Sequence, residues 1–496
     1  MSRKSLYFDN CCGYSVFAAV ENGKLARFDF EREDGGNIIG NIYKGRVENV
    51  LPGLRAAFVN CGLGKNCFLA FDEDRPDCEI YGGRNAFCAT DEIKEGDEIA
   101  VQVVKAPVGN KGAKVTLNLS FAGKFLIYLP RADFTGVSQK ISDAELRRNL
   151  VFFADNLKQK HEGLIVRTAA PYAKGNEIKT EYLFLKNLYG KVESAFGSAA
   201  TGTVLHSDFS LAARILRDLP LTDVEDVTAG SQKLWSLLEN AVEMCGGGRR
   251  IPVKLHDTGK DMFSELGISA QIKGLLSKRA ELDNGGYLVI EKTEALTSID
   301  VNTGKFTGED SAEQSVYYTN VLAAREIARQ VKLRNIGGIT VVDFIDMKNP
   351  AHRNAVVEEL ERALRSCSEK CAVSAMSQFG LVEFTRKRTG GNPLSPLIKP
   401  CGHCGGAKFS VSVTAAVFAL RAGILEVLTD GCDGMRVDLN AGVLDELKKS
   451  ENVLSDLKSR CRGADVRFVP HRSYGEEQMN FRTVNYTLPP NAEKLF

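Results

Sequence analysis

The sequence lacks an excess of either charge, a long uninterrupted apolar run and an apolar N-terminus. Its 64 lysines and arginines nearly balance 63 aspartates and glutamates. The total charge therefore does not favour nucleic acid or an anionic membrane, and any polyanion must meet a local basic patch. The most apolar stretch, Val411 to Leu428, is interrupted by Arg421 and Glu426, which favours a helix packed in a domain over a membrane span. No apolar core typical of a secretion signal follows Met1, so we expect a cytoplasmic protein.

The cysteines do not form a disulfide framework. Thirteen cysteines in 496 residues, an odd number without regular spacing, indicate mostly reduced thiols. Cys401 and Cys404 have the knuckle spacing of a zinc site, but a tetrahedral site needs four ligands and this loop offers two thiolates. Cys367 and Cys371, four residues apart on a predicted helix, could complete a site within one chain. The alternative for Cys401 and Cys404 is a pair of surface thiols that bind no metal.

Length and composition predict several ordinary globular domains. The chain is 44% hydrophobic and 26% charged, and its length is typical of roughly three to five domains. Short alternating strands with turns run through residues 39–120, which favours a small Greek-key barrel of the OB type. From residue 276, strands and helices alternate, which predicts an α/β layer with a largely buried sheet.

Polar side chains end two predicted strands of this α/β layer. In the segment SIDVN, residues 298–302, a period of two places Asp300 and Asn302 on one face. Asp343 follows the apolar segment ITVV in the same way, whereas Asp346 is a weaker candidate. Two neighbouring carboxylates repel unless a cation lies between them, and Mg²⁺ accepts one or two carboxylates while it keeps waters. The sequence therefore predicts a magnesium site, with ordinary turn and helix-capping roles as the alternative.

Several long segments resemble one known family. GGYLVIEKTEALTSIDVNTG, REIARQVKLRNIGGITVVDFIDM and FGLVEFTRKRT resemble the catalytic core of the ribonuclease E/G family, the bacterial single-strand endoribonucleases. GNIYKGRVENVLPGLRAAFVNCG is similar to that family's S1 RNA-binding domain, and RFVPHRSYGEEQMNF to its C-terminal small domain. The resemblance covers nearly the whole chain in the family's order. An end after the small domain is expected of the ribonuclease G branch.

The resemblance implies a multidomain fold of α/β and β type. An RNase H-like domain would be split into residues 1–38 and 209–275. An S1 barrel and a 5′-sensor would be inserted into it, followed by a DNase I-like catalytic domain, a zinc link and a small α/β dimerisation domain. The corresponding residues are 39–120, 121–208, 276–395, 396–406 and 407–496.

The resemblance also implies two metals. Asp300 and Asp343 match the family's Mg²⁺-binding aspartates, and Asn302 matches the amide that orients the scissile phosphate. The family hydrolyses single-stranded RNA with a metal-activated water, leaving 5′-phosphate and 3′-hydroxyl ends. Cys401 and Cys404 match half of a zinc site that the same pair of a second protomer completes. This implies a homo-oligomer, either a dimer or a tetramer.

The predicted barrel carries residues that match RNA contacts of the family. Phe58 and Phe68 match aromatics that touch substrate, and Lys111 matches a lysine that does so. Aromatics on a barrel face can stack bases while a lysine meets phosphate. From the residues alone, phenylalanines in a small barrel are more often part of its core.

A second cluster matches the family's 5′-monophosphate pocket. Arg167 and Thr168 follow the strand GLIV, and a guanidinium beside a hydroxyl suits a terminal phosphate. The resemblance adds backbone groups near Gly123 and Ile127, and a basic position at Lys370. A relative carries arginine where this chain has Lys370, and a lysine offers a point charge in place of a bidentate fork. From the residues alone, Arg167 is a surface ion pair.

Together these assignments predict a Mg²⁺-dependent endoribonuclease of single-stranded RNA. We expect stimulation by a 5′-monophosphate and roles in ribosomal RNA processing and messenger RNA decay. The alternative is a non-catalytic RNA-binding protein of the S1 type. Such a protein would keep the barrel residues but would have no need for the two aspartates and the asparagine together.

Overall fold

The computed structural model divides the chain into two compact units. The first unit comprises residues 1–31, 223–236 and 252–496, and the second comprises residues 32–222 and 237–251. The residues that the structure describes are 4–33, 38–71, 93–107, 111–207, 210–219, 221–245, 251–304, 312–365, 370–387, 392–401, 409–429, 432, 434–449, 451–461, 463–483 and 488–495.

The strands are numbered in chain order. They are β1 Lys4–Cys11, β2 Tyr14–Glu21, β3 Lys24–Arg32, β4 Ile42–Leu51, β5 Ala56–Asn60, β6 Cys67–Ala70, β7 Glu98–Lys105, β8 Lys114–Thr116, β9 Phe121–Ala122, β10 Leu126–Leu129, β11 Thr135–Val137, β12 Gly163–Val166, β13 Val204–His206, β14 Val224–Ala229, β15 Val253–Leu255, β16 Arg279–Glu281, β17 Tyr287–Lys292, β18 Leu296–Asn302, β19 Gly338–Asp343, β20 Cys371–Val373, β21 Leu381–Arg386, β22 Ile398–Pro400, β23 Phe409–Val411, β24 Gly434–Asn440, β25 Asp465–His471 and β26 Asn480–Arg482.

The helices are numbered in the same way. They are α1 Ala144–Leu157, α2 Gly175–Ser198, α3 Leu211–Asp218, α4 Gln232–Cys245, α5 Met262–Glu265, α6 Ile268–Gly274, α7 Ala312–Leu333, α8 Pro350–Leu364, α9 Val413–Thr429, α10 Ala441–Lys449 and α11 Glu451–Arg460. Among the described residues, no helix is long and apolar enough to cross a bilayer.

The N-terminal strands pair with a segment far along the chain. In the first unit, a five-stranded sheet has the order β15-β14-β1-β2-β3. Strand β1 pairs antiparallel with β2 and parallel with β14. Residues before position 38 therefore share a sheet with residues after 209, as a split domain requires. The RNase H-like name and the bounds of the seven predicted segments stay predictions.

A six-stranded sheet of the first unit carries the predicted strand-end carboxylates. Its order is β16-β17-β18-β19-β21-β20, and only the β18–β19 pair among these neighbours is parallel. Helix α7 buries a stripe with helical spacing against it: Ala323, Ala324, Ile327, Ala328 and Val331. Helix α8 adds further apolar side chains to the same core. The helices thus cover one face, and the polar ends of β18 and β19 lie on the other.

One expectation about this region is wrong. Helix α8 ends at Leu364, and Cys371 begins the strand β20, where it pairs with Arg386 of β21. Cys371 is therefore not on a helix, because hydrogen bonding to the sheet edge holds this segment extended. Cys367 lies outside the described residues.

The apolar stretch interrupted by charges forms a packed helix, as predicted. Arg421 of α9 is 1% exposed and pairs with the carboxylates of Asp9, Asp261 and Asp456. A buried guanidinium needs such partners, since an unpaired one would be strongly destabilising. These ion pairs fasten α9 to segments from three other parts of the first unit.

The second unit contains a closed barrel. Its strands follow the order β4-β5-β6-β8-β7, and β7 pairs again with β4 to close the ring, while β13 extends it at β4. Gly45 permits this closure, because a Cβ there would lie 2.4 Å from Cγ1 of Val59. The prediction of an OB-like barrel is confirmed.

A smaller sheet of the second unit positions the predicted phosphate-sensing residues. Its order is β11-β12-β10-β9. Helices α1 and α2 pack on it through a core that includes Leu126, Leu164, Ile178 and Leu185. Asp143 begins α1 by accepting hydrogen bonds from two N–H groups of its first turn. The loop before β10 and the end of β12 lie together at one edge.

Candidate active site

Two aspartates meet on the open face of the six-stranded sheet. Strands β18 and β19 run parallel, and their register pairs Asp300 with Asp343. Register partners in a sheet project to the same side, so both carboxylates lie on one face. Both residues are exposed, whereas Ile299, Val301 and Val342 point into the core below α7 and α8. The structure therefore brings together the two carboxylates that the strand period predicted.

Asn302 joins this pair. Its Nδ2 donates a hydrogen bond of 2.8 Å to Oδ2 of Asp300. The chain turns away immediately afterwards at Gly304, whose φ is +63°. A Cβ at this position would lie 2.2 Å from the carbonyl oxygen of Gly285, so only glycine fits the turn. The turn leaves Asn302 at the rim of the sheet with its amide directed to the first carboxylate.

Helix α7 holds the segments around the site. Asn320 is buried and donates to the carbonyl of Ile345 at 2.8 Å, while its Oδ1 accepts from the N–H of Ile345 at 3.1 Å. This pair of bonds fixes the segment that follows Asp343. The preceding residue, Thr319, accepts a hydrogen bond of 2.8 Å from Nδ2 of Asn284. This bond shapes the loop before β17. The site therefore rests on a rigid helix, a feature that preorganisation requires.

The electrostatics of the pair suit a divalent cation. Partial burial raises the pKa of Asp343, and the carboxylates of Asp300 and Asp346 raise it further. Like charges held this close favour protonation unless a cation offsets them. Among the residues that the structure describes, no three His, Cys, Asp or Glu side chains form a metal cage. Mg²⁺ commonly binds through one or two carboxylates with waters and phosphate oxygens as the other ligands, so the donor set fits that ion.

Two neighbours on the same face were missed by the sequence analysis. The guanidinium of Arg279 lies 3.7 Å from the ring centroid of Tyr287. Tyr287 pairs in register with Asn302, and Arg279 pairs with Val289, whose other partner is Asp300. A cation and an aromatic ring therefore lie beside the carboxylates. Their spacing in sequence gives no signal, because the register of three strands brings them onto one face in neighbouring rows.

The barrel presents its two phenylalanines outward. Phe58 and Phe68 are register partners on β5 and β6, and their ring centroids lie 6.0 Å apart. Both are partly exposed, while the flanking Val59, Cys67 and Leu69 are fully buried in the barrel core. The alternative that these two phenylalanines belong to the barrel core is therefore wrong. They form a paired aromatic surface on the barrel.

Basic residues border this aromatic surface. Lys111 is exposed, and the following Gly112 lies against β6, where a Cβ would be 2.0 Å from the carbonyl oxygen of Asn66. Lys114 of β8 is the register partner of Phe68. Lys111 was predicted from the sequence to contact RNA, whereas Lys114 was not. Lys114 alternates with the buried Val115 on a short strand, a pattern that could have indicated its outward direction.

The predicted phosphate-sensing arginine is already engaged. Arg167 follows β12, and its Nη1 donates to the carbonyl of Gly123. Its Nη2 donates 2.8 Å to Oδ1 of Asp218, at the end of α3. Arg217 holds the same carboxylate with bonds of 3.0 and 3.1 Å and also donates to the carbonyl of Ala122. Burial raises the pKa of Asp218, but the two arginines outweigh burial and lower it below its usual value.

The loop beside Arg167 is shaped by a second carboxylate. Glu181 of α2 accepts hydrogen bonds from the N–H groups of Lys124, Phe125 and Leu126. A Cβ at Gly123 would lie 2.3 Å from the carboxyl carbon of Glu181, so a larger residue there would displace this carboxylate. The N–H of Gly123 donates to Leu126 at 2.8 Å. A cavity of about 450 Å³, lined in part by Gly123, Phe125, Phe184 and Arg217, opens beside this loop.

The remaining predicted site residues lie in different settings. Thr168 is exposed beside Arg167, and Ile127 is partly buried in β10. Lys370 is exposed and belongs to the first unit. Cys401 is partly buried directly after β22, whereas Cys404 lies outside the described residues. The structure therefore brings Gly123, Ile127, Arg167 and Thr168 to one sheet edge.

The chain matches known ribonucleases over most of its length. The family model described as Ribonuclease E/G family matches residues 120–389. Ribonuclease G of Escherichia coli (strain K12) is 36% identical over 418 residues, covering 83% of this chain and 85% of that protein. Ribonuclease G of Salmonella typhimurium (strain SL1344) is 35% identical over 473 residues, covering 93% and 96%. Ribonuclease E of Nostoc sp. is 35% identical over 381 residues, covering 76% of this chain and 55% of that protein.

A mixed α/β chain with an OB-like barrel and these matches is an endoribonuclease, a hydrolase that acts on RNA. It belongs to the ribonuclease E/G family. The resemblance to that family, its ribonuclease G branch and the enzyme class are thereby confirmed. The rival interpretation, an RNA-binding protein without catalysis, is wrong. The roles of the individual site residues stay predictions.

Proposed function

We propose that the chain is a Mg²⁺-dependent endoribonuclease that hydrolyses single-stranded RNA to 5′-phosphate and 3′-hydroxyl ends. The observation that carries this proposal is the register pairing of Asp300 with Asp343 on adjacent parallel strands. Both carboxylates share the exposed face of a sheet whose other face is packed by α7 and α8. Both carboxylates are exposed, so a flexible RNA strand can reach them.

Asp300 and Asp343 would hold the metal, and the side chain of Asn302 would orient the scissile phosphate. A bound Mg²⁺ would offset negative charge at the phosphate and lower the pKa of a coordinated water. Asn302 also donates to Asp300, which fixes the direction of that carboxylate. Arg279 lies on the same face and pairs with Glu281 at 2.6 Å, so it would contact the RNA backbone by exchanging this exposed partner.

The barrel would bind the single-stranded RNA substrate. Phe58 and Phe68 present ring surface outward, on which bases of any identity can stack. Lys111 and Lys114 border these rings and would meet backbone phosphates. Because the chain has almost no net charge, RNA affinity would depend on such local groups.

The edge formed by Arg167 and Thr168 would recognise a 5′-monophosphate on the substrate. A guanidinium beside a hydroxyl suits the three oxygens of a terminal phosphate. The neighbouring cavity offers room for the terminal nucleotide. Backbone groups near Gly123 and Ile127 and the side chain of Lys370 complete this proposal, which makes 5′-monophosphorylated RNA the preferred substrate.

Cys401 and Cys404 would bind one zinc ion together with the same pair of a second protomer. Two thiolates from each of two chains satisfy the tetrahedral preference of zinc. The protein would then be a homo-oligomer, a dimer or a tetramer, and would act in the cytoplasm in ribosomal RNA processing and messenger RNA decay. Chelation of zinc should lower the mass in solution, which size-exclusion chromatography with light scattering measures.

The direct test compares a short single-stranded RNA with a 5′-monophosphate and the same RNA with a 5′-hydroxyl. Each is incubated with the wild type and with Asp300→Asn, with and without Mg²⁺, and the ends of the products are mapped. We expect internal cuts that need Mg²⁺, favour the monophosphate and disappear in the variant. Cutting that persists in the variant, or without a divalent cation, would refute the assignment of this site.

A further inference from the structure

A carboxylate of the protein itself, that of Asp218, forms an ion pair with Arg167, the arginine proposed to recognise the 5′-phosphate. Asp218 contacts Nη2 of Arg167 at 2.8 Å and Nε of Arg217 at 3.0 Å. Its second oxygen accepts from Nη2 of Arg217 at 3.1 Å. A carboxylate thus uses the donors that a terminal phosphate oxygen would use.

Two described carboxylates near this edge, those of Glu181 and Asp218, differ in how they are held. Glu181 accepts three backbone N–H groups and lies against Gly123, so it is part of the loop's structure. Among the described residues, the side chains of Arg167 and Arg217 donate to Asp218, and its own side chain is 38% exposed. It can therefore turn toward water without breaking the backbone of either α3 or the loop.

Charge favours the exchange of Asp218 for a 5′-monophosphate. The carboxylate carries one negative charge, whereas a phosphate monoester carries roughly 1.5 to 2 at pH 7. Two guanidinium groups, those of Arg167 and Arg217, already converge on this position. A terminal phosphate would gain more from them than the carboxylate does. A 5′-hydroxyl offers no charge with which to compete.

We propose that Asp218 is a built-in competitor of the 5′-phosphate that sets the strength of 5′-end recognition at Arg167. This inference rests on the proposed phosphate-sensing role of Arg167. The carboxylate keeps the two arginines paired when no 5′-phosphate is present, and the phosphate displaces it on binding. Asp218 is thus a specificity-determining residue that weakens the sensor and prevents it from binding anions of low charge.

The test replaces the charge and keeps the shape. Asp218→Asn retains an oxygen that accepts from Arg167 but removes the competing charge. Values of kcat and KM are measured on one RNA sequence with a 5′-monophosphate or a 5′-hydroxyl. Asp133→Asn is the control for net charge, since Asp133 pairs with Lys158 on the surface of the same unit. Arg167→Gln reports whether the sensor exists.

We expect Asp218→Asn to lower KM for the monophosphorylated RNA by roughly two- to fivefold. This factor corresponds to the free energy of a partly exposed ion pair. The ratio of kcat/KM between the two RNAs should rise by a similar factor, and Asp133→Asn should leave it unchanged. In an Arg167→Gln background the gain should vanish, because the two residues act as a pair.

The alternative results are separable. In one case, Asp218→Asn leaves the kcat/KM ratio between the two RNAs unchanged or lowers it, while Arg167→Gln abolishes the preference for the monophosphate. Asp218 then supports Arg167 and does not compete with phosphate, so this inference is wrong and the sensor assignment stands. If Arg167→Gln leaves the preference intact, the sensor itself is wrong and the inference is lost with it. Circular dichroism and thermal unfolding of Asp218→Asn, compared with those of Asp133→Asn, show whether the variant is folded.

Discussion

Asp300 and Asp343 are register partners on the parallel strands β18 and β19, and their carboxylates share one exposed face. Their proximity raises the pKa of Asp343, after the larger effect of burial. The buried core below the sheet keeps the two strands, and so the two carboxylates, close together. A cation that bridges the two groups would relieve their repulsion, which is why the pair is the basis of the catalytic proposal.

Loss of either carboxylate should abolish cleavage without abolishing binding. We expect Asp300→Asn and Asp343→Asn to lower kcat by at least about 100-fold, since one lost metal ligand removes several kcal/mol of charge stabilisation at the transition state. The dissociation constant for RNA in Ca²⁺ should stay within about threefold, because the barrel is intact. Cleavage assays and fluorescence anisotropy measure the two quantities.

Asp283→Asn is the matched control for this pair. It removes the same charge from the same unit, but its side chain is 64% exposed and pairs with Lys24. Its kcat should equal that of the wild type. An equal loss in the control would show that the net charge of the unit, and not the strand-end pair, controls the rate.

Besides orienting the scissile phosphate, Asn302 should act by orienting Asp300. Asn302→Ala removes the 2.8 Å bond between Nδ2 and Oδ2 of Asp300. Hydrogen bonds to charged groups are worth about 1.5 to 3 kcal/mol, so kcat should fall roughly 10- to 100-fold. KM should change little, and the Mg²⁺ concentration for half-maximal rate should rise. A change confined to KM would place Asn302 in substrate binding instead.

The strand period made part of this site predictable. Alternation along SIDVN assigned Asp300 and Asn302 to one face, and the structure places both there because the buried Ile299 and Val301 fix the register. A slip by one residue would bury the carboxylate, so hydrophobic burial enforces the local pattern.

Contacts between distant segments could not be predicted in this way. Arg167 and Asp218 are 51 residues apart, and nothing local in either segment indicates that they meet. The outward direction of Phe58 and Phe68 was equally hidden, since alternating apolar residues fit either face of a small barrel. Cys371 was assigned to a helix because its spacing from Cys367 suited one, and pairing with β21 decided otherwise.

The aromatic surface of the barrel should control affinity for RNA. We expect Phe58→Leu and Phe68→Leu each to raise KM roughly 5- to 100-fold, since a stacked base is worth about 1 to 3 kcal/mol. The value of kcat at saturating RNA should be nearly unchanged. Stability should fall little, because both rings are partly exposed. Steady-state kinetics and thermal unfolding together separate the two effects.

Phe152→Leu provides the control for aromatic surface. Phe152 lies on α1 of the same unit and is 73% exposed, but it does not belong to the barrel. Its KM should match the wild type. If all three variants raised KM equally, general hydrophobic contact with RNA would explain the result, and the specific role of the barrel pair would be lost.

The stability of the second unit should depend on pH through Glu162. This buried carboxylate accepts 2.7 Å from Nζ of Lys186 and also accepts from the hydroxyls of Tyr128 and Tyr182. Burial raises the pKa of Glu162, but these bonds outweigh burial and lower it. Because the folded pKa is lowered, the stabilisation is present above the unfolded pKa of about 4.3. It is lost as the pH falls through the folded value.

Glu162→Gln should therefore destabilise the protein at neutral pH and have less effect in acid. We expect a loss of roughly 1 to 3 kcal/mol at pH 7, since the tyrosine and lysine donors lose a charged acceptor. The difference from wild type should shrink as the pH falls below the unfolded pKa of about 4.3, because the carboxyl gains a proton first in the unfolded state and only at lower pH in the folded state. Glu193→Gln, whose side chain is 54% exposed, should stay within about 0.5 kcal/mol at either pH. Thermal unfolding at both pH values measures the difference in stability between each variant and the wild type. A difference for Glu162→Gln that persists in acid would mean that packing of the side chain, and not its charge, stabilises the unit.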